Sequence, residues 1–260
     1  MDKLRIGIVG LGFGLHYMKE LMAGERGQRL LDVVAVCDSA PARLDQGVET
    51  FTCRGFTDLD ELLALPDLDA VALYSGPVGR ADLIRRIMNA GKDVMATKPF
   101  ELDADSALAV LNEAKAMGRV VHMNSPTPTV AGDIGQIADW QQRFDMGRAV
   151  SAHFHTWCTY REQENGTWYD DPALCPVAPL FRLGIYAIND ILHFMPDPES
   201  VQVMHSRVFT GRPTPDHAQL SIRFKDGGLA SIFASFCIGD GAPYPDTLIM
   251  NFERGTVYRN

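Results

Sequence analysis

A glycine-rich turn near the amino terminus has the residue spacing needed to bind a pyrophosphate. Gly10 and Gly12 follow an apolar run that predicts a strand, and an amphipathic segment beginning near Phe13 predicts a helix. Gly10 allows the tight turn, and Gly12 lets backbone amides approach phosphates at the positive end of the helix. The third position of this fingerprint is usually Gly or Ala, but here it is Leu15, and Gly14 comes one residue earlier. The turn predicts a dinucleotide site.

An acidic residue lies where the ribose of such a dinucleotide would bind. Asp38 ends the second predicted strand, close to the offset of about 20 residues that is typical of a ribose ligand. Its carboxylate can accept hydrogen bonds from both ribose hydroxyls and would repel a 2′-phosphate. We therefore expect NAD as the cofactor, with NADP as the second choice. The other interpretation of Asp38 is a helix cap or a solvated turn residue.

A lysine follows a later predicted strand. Thr97, Lys98 and Pro99 come directly after the strand predicted over 93–96, and ligands of open α/β sheets bind at the carboxyl ends of the strands. An ammonium group there can polarise a substrate hydroxyl or stabilise the anion of a neighbouring acid–base group. The simpler interpretation is an ordinary surface lysine.

The alternation of elements predicts the sheet that brings these residues to one edge. Up to about residue 123, short apolar runs alternate with amphipathic stretches, which indicates an α/β fold with a doubly wound parallel Rossmann sheet. After about residue 125, a helix and a strand over 149–157 are followed by a helix over 180–194 and several strands. The Asp226-Gly227-Gly228 turn between two of these strands indicates a hairpin.

The second half is therefore predicted to be an α+β domain with a mostly antiparallel open sheet. We expect a Rossmann domain over 1–123 and an α+β domain over 124–260. The chain ends soon after a further strand begins near residue 253. We therefore expect either a form shortened at its carboxyl terminus or a small second domain.

Composition limits the function classes. The 260-residue chain is 46% hydrophobic and 22% charged, with a net charge of −9, which argues against nucleic acid as a partner because phosphate binding needs a basic face. No apolar run approaches the roughly 18 residues of a membrane span. Five cysteines without CxxC spacing and no signal sequence predict reduced thiols in a cytoplasmic protein. His153 and His155 alternate on one strand, but no third ligand accompanies them, so no metal is expected.

The chain resembles the Gfo/Idh/MocA oxidoreductases. The resemblance rests on the glycine turn, the acid after the second strand, and the pattern AGK-x-V-x-x-x-KP over 90–99. The family motif is usually Glu-Lys-Pro, and here it is Thr97-Lys98-Pro99. The resemblance implies an NAD or NADP cofactor and a small carbohydrate substrate. It also implies that the domain over 124–260 is a substrate-binding and oligomerisation domain, which forms a homodimer or homotetramer through its open sheet.

The resemblance assigns further residues to the cofactor. Ser75, Gly76 and Pro77, after the fourth predicted strand, should lie beside it, and Arg80 falls where a histidine is common. The full set of expected cofactor contacts is Gly10, Gly12, Phe13, Gly14, Leu15, Asp38, Ser75, Gly76, Pro77, Arg80, Thr97, Lys98 and Pro99.

A helix in the second half matches the family pattern Asp-x-Gly-x-His-x-x-Asp. Here it contains Arg182, Gly184, Tyr186 and Asn189, and Tyr186 stands where branches of the family use a tyrosine as proton carrier. Helical spacing places Arg182, Tyr186 and Asn189 on one face. Arg182 in place of the usual Asp would hold an anionic substrate such as a uronate, or would mean that the usual relay is lost. Lys98 would stabilise the phenolate of Tyr186.

We therefore expect an oxidoreductase that transfers hydride between a sugar, sugar acid or polyol hydroxyl and the nicotinamide. The expected catalytic residues are Lys98, Tyr186, Arg182 and Asn189. One alternative is a catalytically silent protein that senses a dinucleotide or sugar, and another is an enzyme that cycles a tightly held NAD internally. A loop rich in aromatic and acidic residues over 157–171 would stack on a sugar ring or cover the sheet, and His193 is expected to be a helix-end residue.

Overall fold

The chain folds into two compact units, Met1–Ser125 and Pro126–Asn260. The computed structural model describes residues 2–126, 132–242 and 244–260. Each unit has its own six-stranded sheet and its own buried apolar residues.

The first unit is built on a parallel sheet, as predicted. Its strands are β1 (Leu4–Val9), β2 (Leu31–Cys37), β3 (Arg54–Phe56), β4 (Ala70–Leu73), β5 (Asp93–Ala96) and β6 (Val121–Met123), in the order β3-β2-β1-β4-β5-β6. Its helices are α1 (Phe13–Ala23), α2 (Glu25–Leu30), α3 (Pro41–Phe51), α4 (Leu59–Leu63), α5 (Arg80–Asn89) and α6 (Ala104–Ala116). The strand order reverses between β1 and β4, and this switch point is where open α/β sheets bind ligands.

The short apolar runs of the first unit form strands because both faces of its sheet are buried. All four residues of β4 are buried, since apolar residues pack on both faces of the sheet. Continuous apolar strands of this kind are typical of parallel sheets that are covered on both sides. The carboxyl ends of all six strands lie along one edge, which carries the candidate site.

The second unit contains a mixed, mostly antiparallel sheet, as predicted. Its strands are β7 (Ala149–Trp157), β8 (Pro198–Ser206), β9 (His217–Phe224), β10 (Leu229–Ser235), β11 (Asp246–Phe252) and β12 (Gly255–Arg259), in the order β12-β11-β7-β10-β9-β8. Its α-helices are α7 (Gly132–Arg143) and α8 (Ile185–Leu192). Only the pairing of β7 with β10 is parallel among these described strands.

Alternation of side chains separates the two faces of this sheet. On β7, Ala152 and Phe154 are buried in the core, whereas His153 and His155 are exposed. The same period of two repeats on β9, as expected for a sheet with one covered and one open face.

The helix predicted over 180–194 is two helices of different type. A π-helix over Leu180–Gly184 precedes α8. A π-helix has more residues per turn than an α-helix, so the spacing between Arg182 and Tyr186 is not that of a regular α-helix. The side chain of Arg182 is mostly buried, while Tyr186 is 37% exposed. The two side chains thus differ in burial, and the prediction that they share one face with Asn189 stays a prediction.

Candidate active site

The glycine turn places β1 and α1 in close contact with the end of β4. Gly10 has a φ of +88°, and a Cβ there would lie 2.9 Å from the carbonyl carbon of Tyr74. A Cβ at Gly14 would lie 2.6 Å from Cδ2 of the Tyr74 ring. The close packing that the fingerprint assigns to its third position is therefore provided by Gly14. The side chain of Leu15 is buried in the core beside it, so only its backbone could reach a ligand.

The second glycine of the turn faces open space. A Cβ at Gly12 would meet nothing within 4 Å, and Gly12 caps the amino terminus of α1. The helix amino terminus offers unpaired N–H groups and a partial positive charge, so this space suits a pyrophosphate. Phe13, 59% exposed, begins the helix and contacts the rings of Tyr17 and Tyr74.

Polar side chains after β4 and β6 also suit a bound nucleotide. The buried Oγ of Ser75 has no hydrogen-bond partner within the described residues, and an unpaired buried hydroxyl costs about 1–3 kcal/mol. The Tyr74 hydroxyl lies beside the Asn124 side chain, and burial raises the pKa of Tyr74 well above its usual value, which keeps it a donor. The open space at Gly12 and the unpaired Ser75 hydroxyl both fit NAD. Sequence reasoning missed Asn124, although it follows a strand whose end lies on the same edge.

Asp38 joins the end of β2 to the glycine turn. Its Oδ2 accepts a hydrogen bond from the Leu11 N–H at 2.7 Å, and its Oδ1 accepts one from the Ala40 N–H at 2.8 Å. Arg43 donates to both oxygens, at 3.0 to 3.2 Å. Burial alone would raise the pKa of Asp38, but these donors together lower it. The side chain of Arg43 is 52% exposed, whereas that of Asp38 is 6% exposed.

A buried arginine donates hydrogen bonds to the backbone of the segment that contains Lys98. Arg80, 1% exposed, donates to the carbonyl oxygens of Ser75, Thr97, Pro99 and Phe100. Its guanidinium is therefore enclosed by backbone, and the expectation that Arg80 contacts the cofactor directly is corrected on that ground. The side chain of Thr97 is also buried.

The remaining expected cofactor residues lie on the same edge of the sheet. Gly76 is exposed and Pro77 is buried in the turn that leads from β4 to α5. Lys98 follows β5, which pairs with β4, and β4 pairs with β1. Neighbouring strands lie about 4.8 Å apart. The end of β5, which Lys98 follows, is therefore about 10 Å from the end of β1, which the glycine turn follows.

The second unit gives Arg182 a partner that was not predicted. Its Nη1 and Nη2 donate to Oε2 and Oε1 of Glu162 at 2.6 and 3.0 Å, and its guanidinium lies 4.6 Å from the centroid of the Tyr169 ring and 4.7 Å from that of Tyr160. A guanidinium engaged in this way is part of a structural network. This arrangement does not support the expectation that Arg182 holds an anionic substrate.

A second arginine completes this network. Arg212 donates its Nε–H to Oε2 of Glu162 at 3.1 Å and its Nη1–H to Asp170 and Asn165. Burial alone would raise the pKa of Glu162, but Arg182 and Arg212 together lower it. The carboxylate is therefore ionised between two cations. Sequence reasoning missed Glu162 and Arg212, which lie 50 residues apart in the chain.

The predicted catalytic residues of α8 differ in exposure. Tyr186 is accessible near the start of the helix, and Asn189 is half-buried, with its Nδ2 3.5 Å from Oδ1 of Asp190. Burial raises the pKa of Asp190. His193 lies at the carboxyl-terminal cap of α8.

The open face of the second sheet carries the paired histidines. Nδ1 of His153 lies 2.8 Å from the Ser231 hydroxyl, and the rings of His155 and His217 both contact Phe233. Across residues 2–126, 132–242 and 244–260, no group of three or more His, Cys, Asp or Glu side chains is arranged to hold a metal. In the same described residues, no helix is long and apolar enough to cross a membrane.

These features define a dinucleotide-binding α/β protein with an attached α+β unit. Residues 4–125 match the model of an oxidoreductase family with an NAD-binding Rossmann fold, and residues 131–258 match the model of the GFO/IDH/MocA carboxyl-terminal domain. The chain belongs to the Gfo/Idh/MocA oxidoreductase family. The predicted family is thereby confirmed, and NAD is the cofactor that the family model names.

Two curated relatives are similar to this chain over different shares of its length. An inositol 2-dehydrogenase/D-chiro-inositol 3-dehydrogenase of Lactiplantibacillus plantarum is 26% identical over 44% of this chain and 33% of its own length. A galactose 1-dehydrogenase of Pseudomonas fluorescens is 25% identical over 93% of this chain and 73% of its own length. The matches to the first three curated relatives span only 33%, 61% and 34% of those proteins.

A solved structure shares the fold. GenD2 from gentamicin A biosynthesis, crystallised with NAD, superposes with a TM-score of 0.84 at 18% identity, covering 100% of this chain and 72% of its own.

Proposed function

We propose that this protein is an NAD-dependent dehydrogenase or reductase that acts on a hydroxyl-bearing carbon of a sugar or polyol. The observation that carries the proposal is the common sheet edge of the glycine turn, Ser75 and Lys98. A dinucleotide cradle and an amine at neighbouring strand ends are what a hydride-transfer site needs.

NAD, when bound, supplies the hydride acceptor at C4 of its nicotinamide ring. The backbone amides at Gly12 and the start of α1 would bind the pyrophosphate, and Asp38 would bind the adenosine ribose. Ser75 would bond a hydroxyl on the nicotinamide side. Each of these groups binds and orients the cofactor and leaves the proton chemistry to other residues.

The proton relay is assigned to Lys98 and Tyr186. In the oxidation direction, Tyr186 accepts the hydroxyl proton as the carbon–hydrogen bond gives up its hydride. Lys98 is proposed to hydrogen-bond the developing carbonyl oxygen of the substrate. In the reduction direction the same groups return the proton. Asn189 is proposed to orient the substrate beside Tyr186.

Neutral polyhydroxylated substrates suit this chain best. The curated relatives are named for inositol and galactose, and the guanidinium of Arg182 is already paired with Glu162. The half-buried rings of Trp168 and Tyr169, with centroids 4.1 Å apart, offer an apolar surface on which a sugar ring can stack.

We also propose that two or four copies associate through the open face of the second sheet. Exposed apolar side chains at both edges of that sheet support the proposal: Ile249 and Tyr258 face each other on β11 and β12, and Met204 lies on β8.

The proposed activity is tested by releasing and identifying bound nucleotide, followed by a substrate screen. Purified protein is denatured and the supernatant is analysed for NAD and NADP. The native protein is then mixed with NAD and a panel of cyclitols, aldoses and uronates while NADH absorbance is followed. Turnover of a neutral polyol supports the proposal. Tight NAD binding without turnover on any panel member contradicts it and favours a sensor, and nucleotide that never exchanges favours internal redox cycling.

A further inference from the structure

Arg80 connects the segments that follow two neighbouring strands. It is the first residue of α5. Its Nη2 donates to the carbonyl oxygen of Ser75, which follows β4, and its Nη1 donates to the carbonyl oxygens of Thr97 and Pro99, which follow β5. A fourth carbonyl oxygen, that of Phe100, lies 3.3 Å from Nη1. One buried side chain therefore fixes backbone on both sides of Lys98.

The chemistry of the guanidinium suits this task. Its N–H groups form a rigid planar fork, so two nitrogens can serve carbonyls from two different segments. The carbonyl oxygen of Thr97 belongs to the peptide that enters Lys98, and that of Pro99 belongs to the peptide beyond it. Holding both oxygens to one nitrogen limits rotation of the Lys98 backbone. A lysine at position 80 would present a single ammonium group to the same oxygens.

A carboxylate fixes the other end of the same segment. Oε2 of Glu101 accepts a hydrogen bond from the Ala81 N–H at 2.8 Å, and its Oε1 accepts one from the Leu102 N–H at 2.7 Å. The first turn of α5 therefore holds residues 97–102 at both ends. Such double attachment is what keeps a functional side chain within a few tenths of an ångström of its working position.

We propose that Arg80 is a positioning residue that acts through Lys98. The inference rests on the proposed role of Lys98 in proton transfer. Arg80 itself contacts neither cofactor nor substrate, and its contribution is to hold the backbone from which the Lys98 amine extends. Loss of the guanidinium should therefore lower kcat much more than it weakens NAD binding.

A double-mutant cycle on the full chain tests this coupling. Arg80→Ala is expected to lower kcat about tenfold or more, since a small misplacement of a catalytic group can cost up to about 100-fold. In the Lys98→Ala background, the same substitution should change kcat less than about twofold, because the group it positions is gone. Equal effects in both backgrounds would overturn the inference. Unchanged kcat in Lys98→Ala alone would refute the proposed relay, and the inference with it.

A second measurement does not depend on turnover. Competitive acetylation of the native protein, read by mass spectrometry, compares the reactivity of Lys98 with that of Lys3 and Lys115. Arg80→Ala should change the relative rate of Lys98 about threefold or more, because its backbone is no longer fixed. An unchanged rate at Lys98 would overturn the inference whatever the substrate screen finds.

The control variant lies on the same helix. Arg86 of α5 forms an exposed ion pair with Asp60 at 2.8 Å, and Arg86→Ala should leave both kcat and Lys98 reactivity unchanged.

If Arg80→Ala does not fold, Arg80→Lys keeps the charge and the apolar stem and enters the same two measurements. Addition of guanidinium ion at non-denaturing concentration should restore kcat to Arg80→Ala at least twofold, whereas urea should not. Failure of rescue together with an additive cycle would contradict the assignment.

Discussion

Arg182 and Glu162 form a two-point hydrogen-bonded ion pair, with N–O distances of 2.6 and 3.0 Å. Arg212 approaches the same carboxylate from the loop before β9. The pair therefore joins the loop after β7 to the π-helix, and its contribution is to the stability of the second unit.

Neutralising Glu162 should destabilise the protein strongly. Glu162→Gln leaves two mostly buried guanidinium groups without their shared anion, and breaking a buried pair typically costs about 3–5 kcal/mol. Urea unfolding at neutral pH measures this free energy. Glu199→Gln, which breaks an exposed pair with Arg223, should cost at most about 1 kcal/mol. Equal losses in the two variants would contradict the network.

The same substitution should change the pH dependence of stability. The pKa of Glu162 is lowered in the folded protein, so its stabilising effect is complete above the unfolded pKa of about 4.3. It is lost as the pH falls through the folded pKa. The difference in unfolding free energy between the parent and Glu162→Gln should therefore shrink below about pH 4. A difference that is constant from neutral pH to pH 3 would refute this assignment.

Substitutions at two glycines of the turn should have different effects, one on the stability of the protein and the other on its affinity for NAD. Gly14→Ala places a methyl group against the Tyr74 ring and should destabilise the protein by about 1–3 kcal/mol. Gly12→Ala meets open space, so the melting temperature should stay within about a degree while NAD affinity falls. Calorimetric titration and thermal unfolding of both variants make the comparison. Full NAD affinity in Gly12→Ala would show that the pyrophosphate binds elsewhere.

Removal of one hydroxyl group tests the proposed proton carrier. Tyr186→Phe should lower turnover about 100-fold or more, which is the usual range for a general acid–base group, with NAD affinity unchanged. Tyr258→Phe removes the same phenolic hydroxyl from an exposed tyrosine on β12 and serves as the control. Steady-state kinetics and NAD titration of both variants are required. Turnover of Tyr186→Phe equal to that of the parent would exclude this role.

The charge of Asp38 should determine the choice of nucleotide. Asp38→Asn keeps an oxygen for the Leu11 N–H but removes the charge that repels a 2′-phosphate, so NAD affinity should fall about tenfold and NADP affinity should fall less or rise. Asp32→Asn, at the exposed start of β2, should change neither. Fluorescence titration with both nucleotides measures the ratio. A parent protein that binds NAD and NADP equally would already contradict our preference for NAD.

Much of the fold could be read from local patterns. The strand predicted over 149–157 is observed at the same residues because its alternation reports one covered face. Strands β1 and β4 were predicted from continuous apolar runs. In contrast, β3 has three residues, Arg54 to Phe56, and its first two are exposed, so it has no apolar pattern. Helix α2 escaped prediction because six residues are too short to show a period.

The site residues that could be predicted are those whose type is required by the backbone of the strand and turn. The residues that were missed come together only through contacts between side chains far apart in the chain. Gly10, Gly12 and Asp38 occupy positions whose spacing follows from the strand–turn–helix geometry. The pair of Glu162 with Arg182 depends on a loop folding back over 20 residues, which no short-range pattern encodes. Arg80 was selected because of its position in the family motif. Its burial against the segment that contains Lys98 could not be predicted from the sequence, because it depends on the pairing of β4 with β5.

The pairing of β7 has a consequence for the order in which the chain folds. Its neighbours in the sheet are β10 and β11, which contact it across 78 and 100 residues of sequence. Contacts of such long range close slowly, and a chain made from its amino terminus must wait for them. The first unit has its glycine turn and Asp38 only 27 residues apart. During synthesis, the first unit should be folded while β7 is still unpaired, so a ribosome stalled before β10 would present a protease-resistant first half and a protease-sensitive second half.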